Sequence, residues 1–575
     1  MKYFLLIFMS FQLQASDFKF SVLHTNDLHS YVEGIGPDSL FTNETNDGDP
    51  VLGNYSRLTT LIKNKREELK LLGIPNLLLD AGDFYAGTLF QILGPNSQNN
   101  LVPELDFFIH NNYDFSTIGN HEFDAKSQGF ETMLRKIDYR KKNFKILASN
   151  IIFKNKKASL QKFYSPYNGI EHNKVLTNLY TKDLVYKKQK KRVGFIGIMG
   201  PNASQVSLPN RENISFIGFN DKTVKPEFDE LYKHLDIQVN ELKKKYKVDL
   251  IIVIMHAGSP EDKMIAENVK GIDLIIAGHT HELYKRPKII KKTLIAQVRC
   301  YGNYLGHLNF TVNKDRIELD TSPTFTEVND SIETDPTFNR KVQIYKHAIN
   351  KKIKKYGYKY NTPIFKTNKP YKRKSLESHN KVGSLVATGI FKEFNLKEKK
   401  KIHGFFTTMG LIRADILAPK PITPYQFSDT YKFLPLGISD DGDPGFPIVT
   451  FYMHKDDVLK LVNFLETYKY ISSNYTPVFS SNIKYNINQY GIPFLNRVQD
   501  FSINDKKLSE LPTYLHIATT SYVAGHVNKV GPMTYGLVNF SAHDKEGNLI
   551  TKPYMTKHKG FQLFSNYMEK LKVLE

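Results

Sequence analysis

The chain has 575 residues, 41% of them hydrophobic and 13% aromatic, which excludes a disordered or fibrous protein and is too long for one ordinary core. Its net charge of +21 is dispersed over runs such as "KNKREELK", "LKKKYK" and "LKEKKK". That reads as a solvated basic surface, attractive to anionic substrates, and no stable nucleic-acid partner is expected. Cys300 is the only cysteine, so an intramolecular disulfide and a thiolate metal cluster are both excluded.

The opening "MKYFLLIFMSFQLQAS" has a lysine, an apolar stretch and then Leu13-Gln14-Ala15, the layout of a secretory signal peptide spanning residues 1–15. The stretch falls short of the ~20 apolar residues of a membrane span, and no later segment approaches that length. An exported protein of this size with one cysteine fits a bacterial periplasm or exterior. From Phe18 to Ile332, short apolar runs recur: "FKFSVLHT", "PNLLLDAG", "YDFSTIGN", "FKILASN", "RVGFIGIMG", "VDLIIVIMH" and "IDLIIAGH". Helix-like stretches such as "SRLTTLIKNKREELKLLG" and "FDELYKHLDIQVNELKKKY" lie between them, predicting a layered α/β domain with central sheets. "LIAQVRCYGNYLG" alternates like a strand and places Cys300 in a core. Residues 333–357 predict a long polar helix, a connection between domains. Residues 358–575, rich in tyrosine and turn residues, predict a second, smaller α/β domain.

Polar residues stand at the C-terminal ends of five of these apolar runs. They are Asp27 and His29, then Asp83, then Asn120, His121 and Asp124, then His256, then His279 and His281. In open α/β sheets ligands bind beyond the carboxyl ends of strands, so residues distant in sequence can converge there. Within an extended chain, positions two apart face the same side, so Asp27/His29 and His279/His281 can each address one site. The set contains carboxylates, imidazoles and an amide but no sulfur, which suits Zn, Mn, Fe, Co or harder divalent ions.

The series "DLH", "GD", "GNHE", "MHAG" and "GHTH" resembles the signature of the calcineurin-like metallophosphoesterase superfamily, and "GNHEFD" resembles the 5′-nucleotidase family within it. The resemblance implies a four-layer α/β/β/α metallophosphoesterase domain over residues 18–332, an interdomain helix, and a C-terminal nucleotidase-type substrate domain. It implies two divalent ions, one held by Asp27, His29, Asp83 and His281, the other by Asp83, Asn120, His256 and His279. Such a pair lowers the pKa of a bridging water and clamps phosphate oxygens for in-line attack by the hydroxide. His121 would protonate the leaving group and Asp124 would orient its imidazole.

In the second domain the likeness is weaker. The family's arginine motif stands as "TTMGLIRADI", which keeps Arg413 but puts Thr408, Met409 and Leu411 in place of an asparagine and two glycines. Arg373 is the counterpart of a second phosphate-binding arginine. Of the two rings that sandwich a base, "FLPLG" offers Leu436 and "TTSYVAGHV" offers Tyr522, without the G-G-D that usually follows. The expected function is an exported phosphohydrolase acting on nucleotides or other small phosphate esters. The alternatives are a 2′,3′-cyclic phosphodiesterase/3′-nucleotidase, a nucleotide-sugar hydrolase, a thiosulfohydrolase, or a non-catalytic anion-binding surface protein. The oligomeric state is open.

Overall fold

The structure is a computed structural model that describes residues 17–35, 52–137, 144–155, 158, 160–166, 174–313, 316–373, 376–418, 422–439, 442–527, 530–534, 536 and 538–575. The leader expected at residues 1–15 lies outside the described residues. Among the described residues, no helix is long and apolar enough to cross a membrane.

The fold is mixed α/β. Two large sheets, with two small two-stranded ones beside them, occupy residues 18–327 among the described residues. The larger centres on Phe18–Thr25, paired antiparallel with Tyr304–Asn313 on one side and parallel with Asn76–Asp80 on the other. It continues through Phe115–Thr117 and Lys145–Leu147. The smaller carries Gln189–Met199, Leu250–His256, Leu274–Ala277 and Thr293–Ala296 as parallel neighbours. The sheets face each other across Phe20, Val22, Leu77, Leu79 and Phe115 on one side and Phe195, Ile252, Ile254 and Ile276 on the other. Strands buried on both faces read as continuous apolar runs, which explains "LIIVIMH", where all seven residues are buried.

Helices cover the outer faces, giving four layers. Tyr55–Leu71 buries Leu58, Leu61 and Ile62 against the larger sheet, with the Asn54 side chain accepting from the backbone N–H of Ser56 and Arg57. Phe228–Lys244 and Ser259–Asn268 pack Leu231, Leu235, Leu242 and Ile265 on the smaller sheet.

The helix Pro336–Ile353 follows, with Asp335 capping it through the Phe338 N–H and proline in its first turn. Residues beyond it build separate sheets. The main one orders Pro477–Phe479, Gly404–Thr408, Tyr514–Thr520, Pro447–His454 and Tyr554–Lys559, with Gly404–Thr408 and Tyr514–Thr520 parallel. Here too the side chains of interest follow strand C-termini: Arg413 lies beyond Thr408 and Tyr522 beyond Thr520. Cys300 departs from expectation. It is buried, as expected, but sits in a bend between two strands and not within one.

Candidate metal centre and substrate cleft

The loops that leave the strands are laddered to one another. The Asp27 N–H donates to the Gly82 carbonyl, His29 to Asp83 and Ser30 to Phe84, each at 3.0 Å. This webbing holds Asp27, His29, Asp83, His279 and His281 in the left-handed region, at φ of 51°, 49°, 51°, 79° and 55°. Each such non-glycine residue costs of order 1–3 kcal/mol and persists only where its surroundings over-determine it. Gly119 permits the closest approach, since a Cβ there would stand 2.2 Å from Asp83 Oδ1.

Asp27, His29, Asp83, His121, His256, His279 and His281 come together in three overlapping groups: Asp27/His29/His281, His29/Asp83/His121 and Asp83/His256/His279. The Nε2 atoms of His29 and His281 are 3.1 Å apart, His281 Nε2 is 3.3 Å from Asp27 Oδ1, and His256 Nε2 is 3.0 Å from Asp83 Oδ2. His279 Nδ1 is 3.2 Å from His256 Nε2. Ligands about 2.0–2.1 Å from a common ion stand ~2.9–3.4 Å apart, so these separations suit divalent ions. Asn120 Oδ1 is buried without a hydrogen-bond partner, and Asn120 lines the same cleft as Asp83 and His279, so its lone pairs are free for an ion.

Partners of the other ring nitrogens fix which atom faces the centre. His29 Nδ1 bonds the Ala86 carbonyl at 2.9 Å, His256 Nδ1 the Ala81 carbonyl at 2.8 Å, and His279 Nε2 Asn202 Oδ1 at 2.8 Å. Burial opposes a charge on His256, but Asp83 beside it more than offsets this and raises the ring to about 10. Burial also opposes charge on Asp27, yet His281 and His256 draw it down to about 2. Burial and His256 together depress His279 to about 3.

His121 stands beside this cluster. Its Nδ1 is 3.0 Å from Asp124 Oδ2 and its Nε2 is 4.0 Å from Asp83 Oδ2, so one edge of the ring is anchored and the other faces the centre.

Arg413 enters from the C-terminal half. Burial works against its charge, but the fields of Tyr301, Asp83, Tyr31 and Asp124 raise its pKa, so the guanidinium stays a cation beside the cluster. Arg373 lines the same cleft, but its guanidinium is engaged by the Ile412 carbonyl and lies 3.5 Å from Asp415. Tyr522 and Leu436 line it as well. They do not form the expected pair. Tyr522 stacks on Phe446, with centroids 5.1 Å apart and planes at 29°, because the turn at Gly437 and the bend at Gly445 bring Phe446 over the position read as Leu436.

Sequence reasoning also missed three groups that shape the centre. Glu122, the acid of "GNHE", accepts the backbone N–H of Asp83, Tyr85 and Gly119. Tyr31 and Tyr301 stack at 3.9 Å and 22°, with Tyr301 edge-on to both His29 and His281. Tyr31 follows "DLHS" directly, but nothing in the sequence pairs it with a residue 270 positions away.

Residues 20–283 match the family described as calcineurin-like phosphoesterase. A 5′-nucleotidase from Bos taurus is 29% identical over 359 residues, 58% of this chain and 53% of that one. The chain thus spans about half the length of the curated relatives it matches. Among solved structures, a 5′-nucleotidase precursor from Thermus thermophilus superposes with a TM-score of 0.69 at 18% identity, covering 97% of each chain. A sulfate thiohydrolase from the same organism gives 0.63 at 15% identity, covering 96% of this chain and 94% of that one. At these identities the structures establish a shared fold.

Proposed function

With a calcineurin-like phosphoesterase domain and 5′-nucleotidases among its relatives, the chain is a protein of the 5′-nucleotidase family, and we propose that it is an exported, two-metal phosphohydrolase of nucleotide monoesters. The observation that carries this reading is the meeting of a sulfur-free ligand cluster, its orphaned Asn120 oxygen, and a half-buried arginine from the other half of the molecule lining the same cleft.

The residues fit two ions. Asp27, His29, Asp83 and His281 would hold one; Asp83, Asn120, His256 and His279 would hold the other. When bound, such ions supply Lewis acidity and activate water for attack on phosphorus. The remaining work belongs to the chain. Arg413 offers a fixed cationic fork for the phosphate oxygens. His121 Nε2 delivers a proton to the leaving oxygen as the P–O bond breaks, and Asp124 steadies the imidazolium beforehand. The products are the alcohol and inorganic phosphate.

The test is phosphate release from nucleoside 5′- and 3′-monophosphates, cyclic nucleotides, nucleotide sugars, thiosulfate-bearing substrates and p-nitrophenyl phosphate, with each divalent ion added in turn. Metal-dependent hydrolysis of 5′-monophosphates is expected; failure on every monoester would overturn the reading. Export, and the domain division at residues 333–357, belong to the same proposal. Sequencing the N-terminus of protein recovered from culture fractions checks the first.

A further inference from the structure

The cleft does not end at Arg413. It runs on across the C-terminal half as one volume of ≈ 840 Å³, near the top of the ~300–1,000 Å³ typical of small-molecule sites. Its lining there includes Val206, Leu461, Phe464, Leu465, Ile471 and Val523, interrupted by the polar Ser472, Ser473, Asn474, Tyr475 and His526. Four of the apolar ones, Leu461, Phe464, Leu465 and Val523, are buried core residues, which gives the cleft an apolar patch open at Ile471.

The ring pair that would receive a flat base is meanwhile closed. Phe446 and Tyr522 already touch, at 5.1 Å between centroids. A ring inserted between them needs about 7 Å, twice the ~3.5 Å of van der Waals contact. Tyr522 is tied across the cleft by its hydroxyl, which donates to the Val206 carbonyl at 2.9 Å, and His526 packs 4.7 Å from its ring. Phe446 is wedged against Gly437, where a Cβ would lie 2.4 Å from the ring. Opening the pair would break a hydrogen bond and disturb a close-packed turn. The space available to a leaving group is therefore the rest of the cleft, where Val206, Leu461, Phe464, Leu465 and Val523 supply its apolar surface.

We propose that the leaving group carries an apolar ring or chain that passes the Phe446–Tyr522 pair and lodges in the Val206/Leu461/Phe464/Leu465/Val523 recess, so that preferred substrates are phosphate monoesters larger and more apolar than an unmodified nucleoside. The proposal rests on the phosphohydrolase reading and adds substrate class to it. Arg413 and the ligand cluster take the phosphate, while the recess selects by burying apolar surface, which is favourable in proportion to area.

The experiment compares kcat/KM for p-nitrophenyl phosphate, adenosine 5′-monophosphate and its N6-benzyl derivative, using metal-loaded full-length enzyme. The benzylated nucleotide should exceed the parent by about tenfold or more. Ile471→Asp changes a residue that is 67% exposed at the rim of the recess, so folding is not at stake. Val206→Trp fills the recess from a half-buried helical position. Both should bring the ratio of the two nucleotides toward one, a readout in which any loss of folded enzyme cancels. Equal or better use of the parent nucleotide by the wild type overturns the recess as a specificity element, as does a preference that survives both variants. If the wild type hydrolyses none of the three, p-nitrophenyl phosphate included, the phosphohydrolase reading falls and this inference with it.

Discussion

Where the N-terminal half meets the cleft, its side chains hang from loops laddered strand to strand and held in left-handed backbone. Where the C-terminal half meets it, the residues come from turns joined by side-chain contacts, such as Phe446 on Tyr522 or Arg373 on Ile412. The halves treat buried charge differently too. Around the ligand cluster, Asp262 and one oxygen of Glu261 have no hydrogen-bond partner, and burial raises Glu261 to about 8. In the C-terminal half the buried Glu466 is paired with Lys469 at 2.7 Å, and Glu393, one of whose oxygens also lacks a hydrogen bond, is paired with Lys570 at 2.5 Å. A region assembled to hold multivalent cations tolerates excess carboxylate and backbone strain; a region that shapes a pocket neutralises its charges and relies on packing.

The largest effect should come from Asp83, the residue assigned to both proposed ion sites. Asp83→Ala is expected to lose more bound metal than His279→Ala or His281→Ala and to reduce turnover below detection. Metal analysis of the purified variants decides it, and full metal content in the Asp83 variant would remove the shared-ligand assignment. Next is His121→Ala, which should keep its metal yet lose about 10²–10⁴-fold in turnover, as acid–base groups typically contribute. The loss should shrink for an aryl phosphate whose leaving group needs little protonation. Equal losses on good and poor leaving groups would argue against the acid role.

Arg413→Lys probes the contribution of the other half. Replacing a planar fork by a point charge removes a charge-assisted pair worth about 1.5–3 kcal/mol, so KM for nucleotides should rise about 10–100-fold while metal content stays full. If metal content falls as well, Arg413 belongs to the same rigid unit as the cluster and the contrast between the halves is weaker than drawn.

The two halves were also unequally legible. Ligands at strand ends announce themselves because each motif is local, an apolar run followed by Asp, Asn or His, and parallel strands bring those ends together whatever the intervening length. The layered fold was legible for the same reason, through runs buried on both faces. The cleft was not. Arg413 survived in a recognisable motif, but Phe446 covers Tyr522 only because Gly437 and Gly445, both at positive φ and joined by the Gly445 N–H to the Gly437 carbonyl, bring it back beside Leu436. Restoring a ring by Leu436→Phe would therefore add bulk beside an existing stack instead of building a sandwich. Cys300 is in the core as read, but off the strand, because alternation in "LIAQVRCYG" continues past the true strand end at Ala296, toward the Tyr301 N–H that bonds the Asp27 carbonyl.

The smallest effect sharpens the contrast in buried charge. Glu104 accepts the Ser30 hydroxyl at 2.6 Å through Oε1, while its Oε2 is buried without a partner. Burial raises the carboxyl from 4.5 to about 7. The folded protein thus holds a proton that the unfolded chain releases above pH 4.5. The associated stability is fully present below about pH 4.5, declines as pH rises through the interval, and is gone above about pH 7. Glu104→Gln keeps an acceptor for Ser30 and stays neutral at every pH. Its melting temperature should match the wild type near pH 5 and exceed it by a few degrees near pH 8, where the wild type must bury a carboxylate. Glu466→Gln, which breaks a formed ion pair, should instead destabilise at both pH values, because Lys469 loses its partner. A Glu104→Gln difference that stays constant with pH would mean that this acid is neutralised by something other than its own proton, and that the two halves handle buried charge alike.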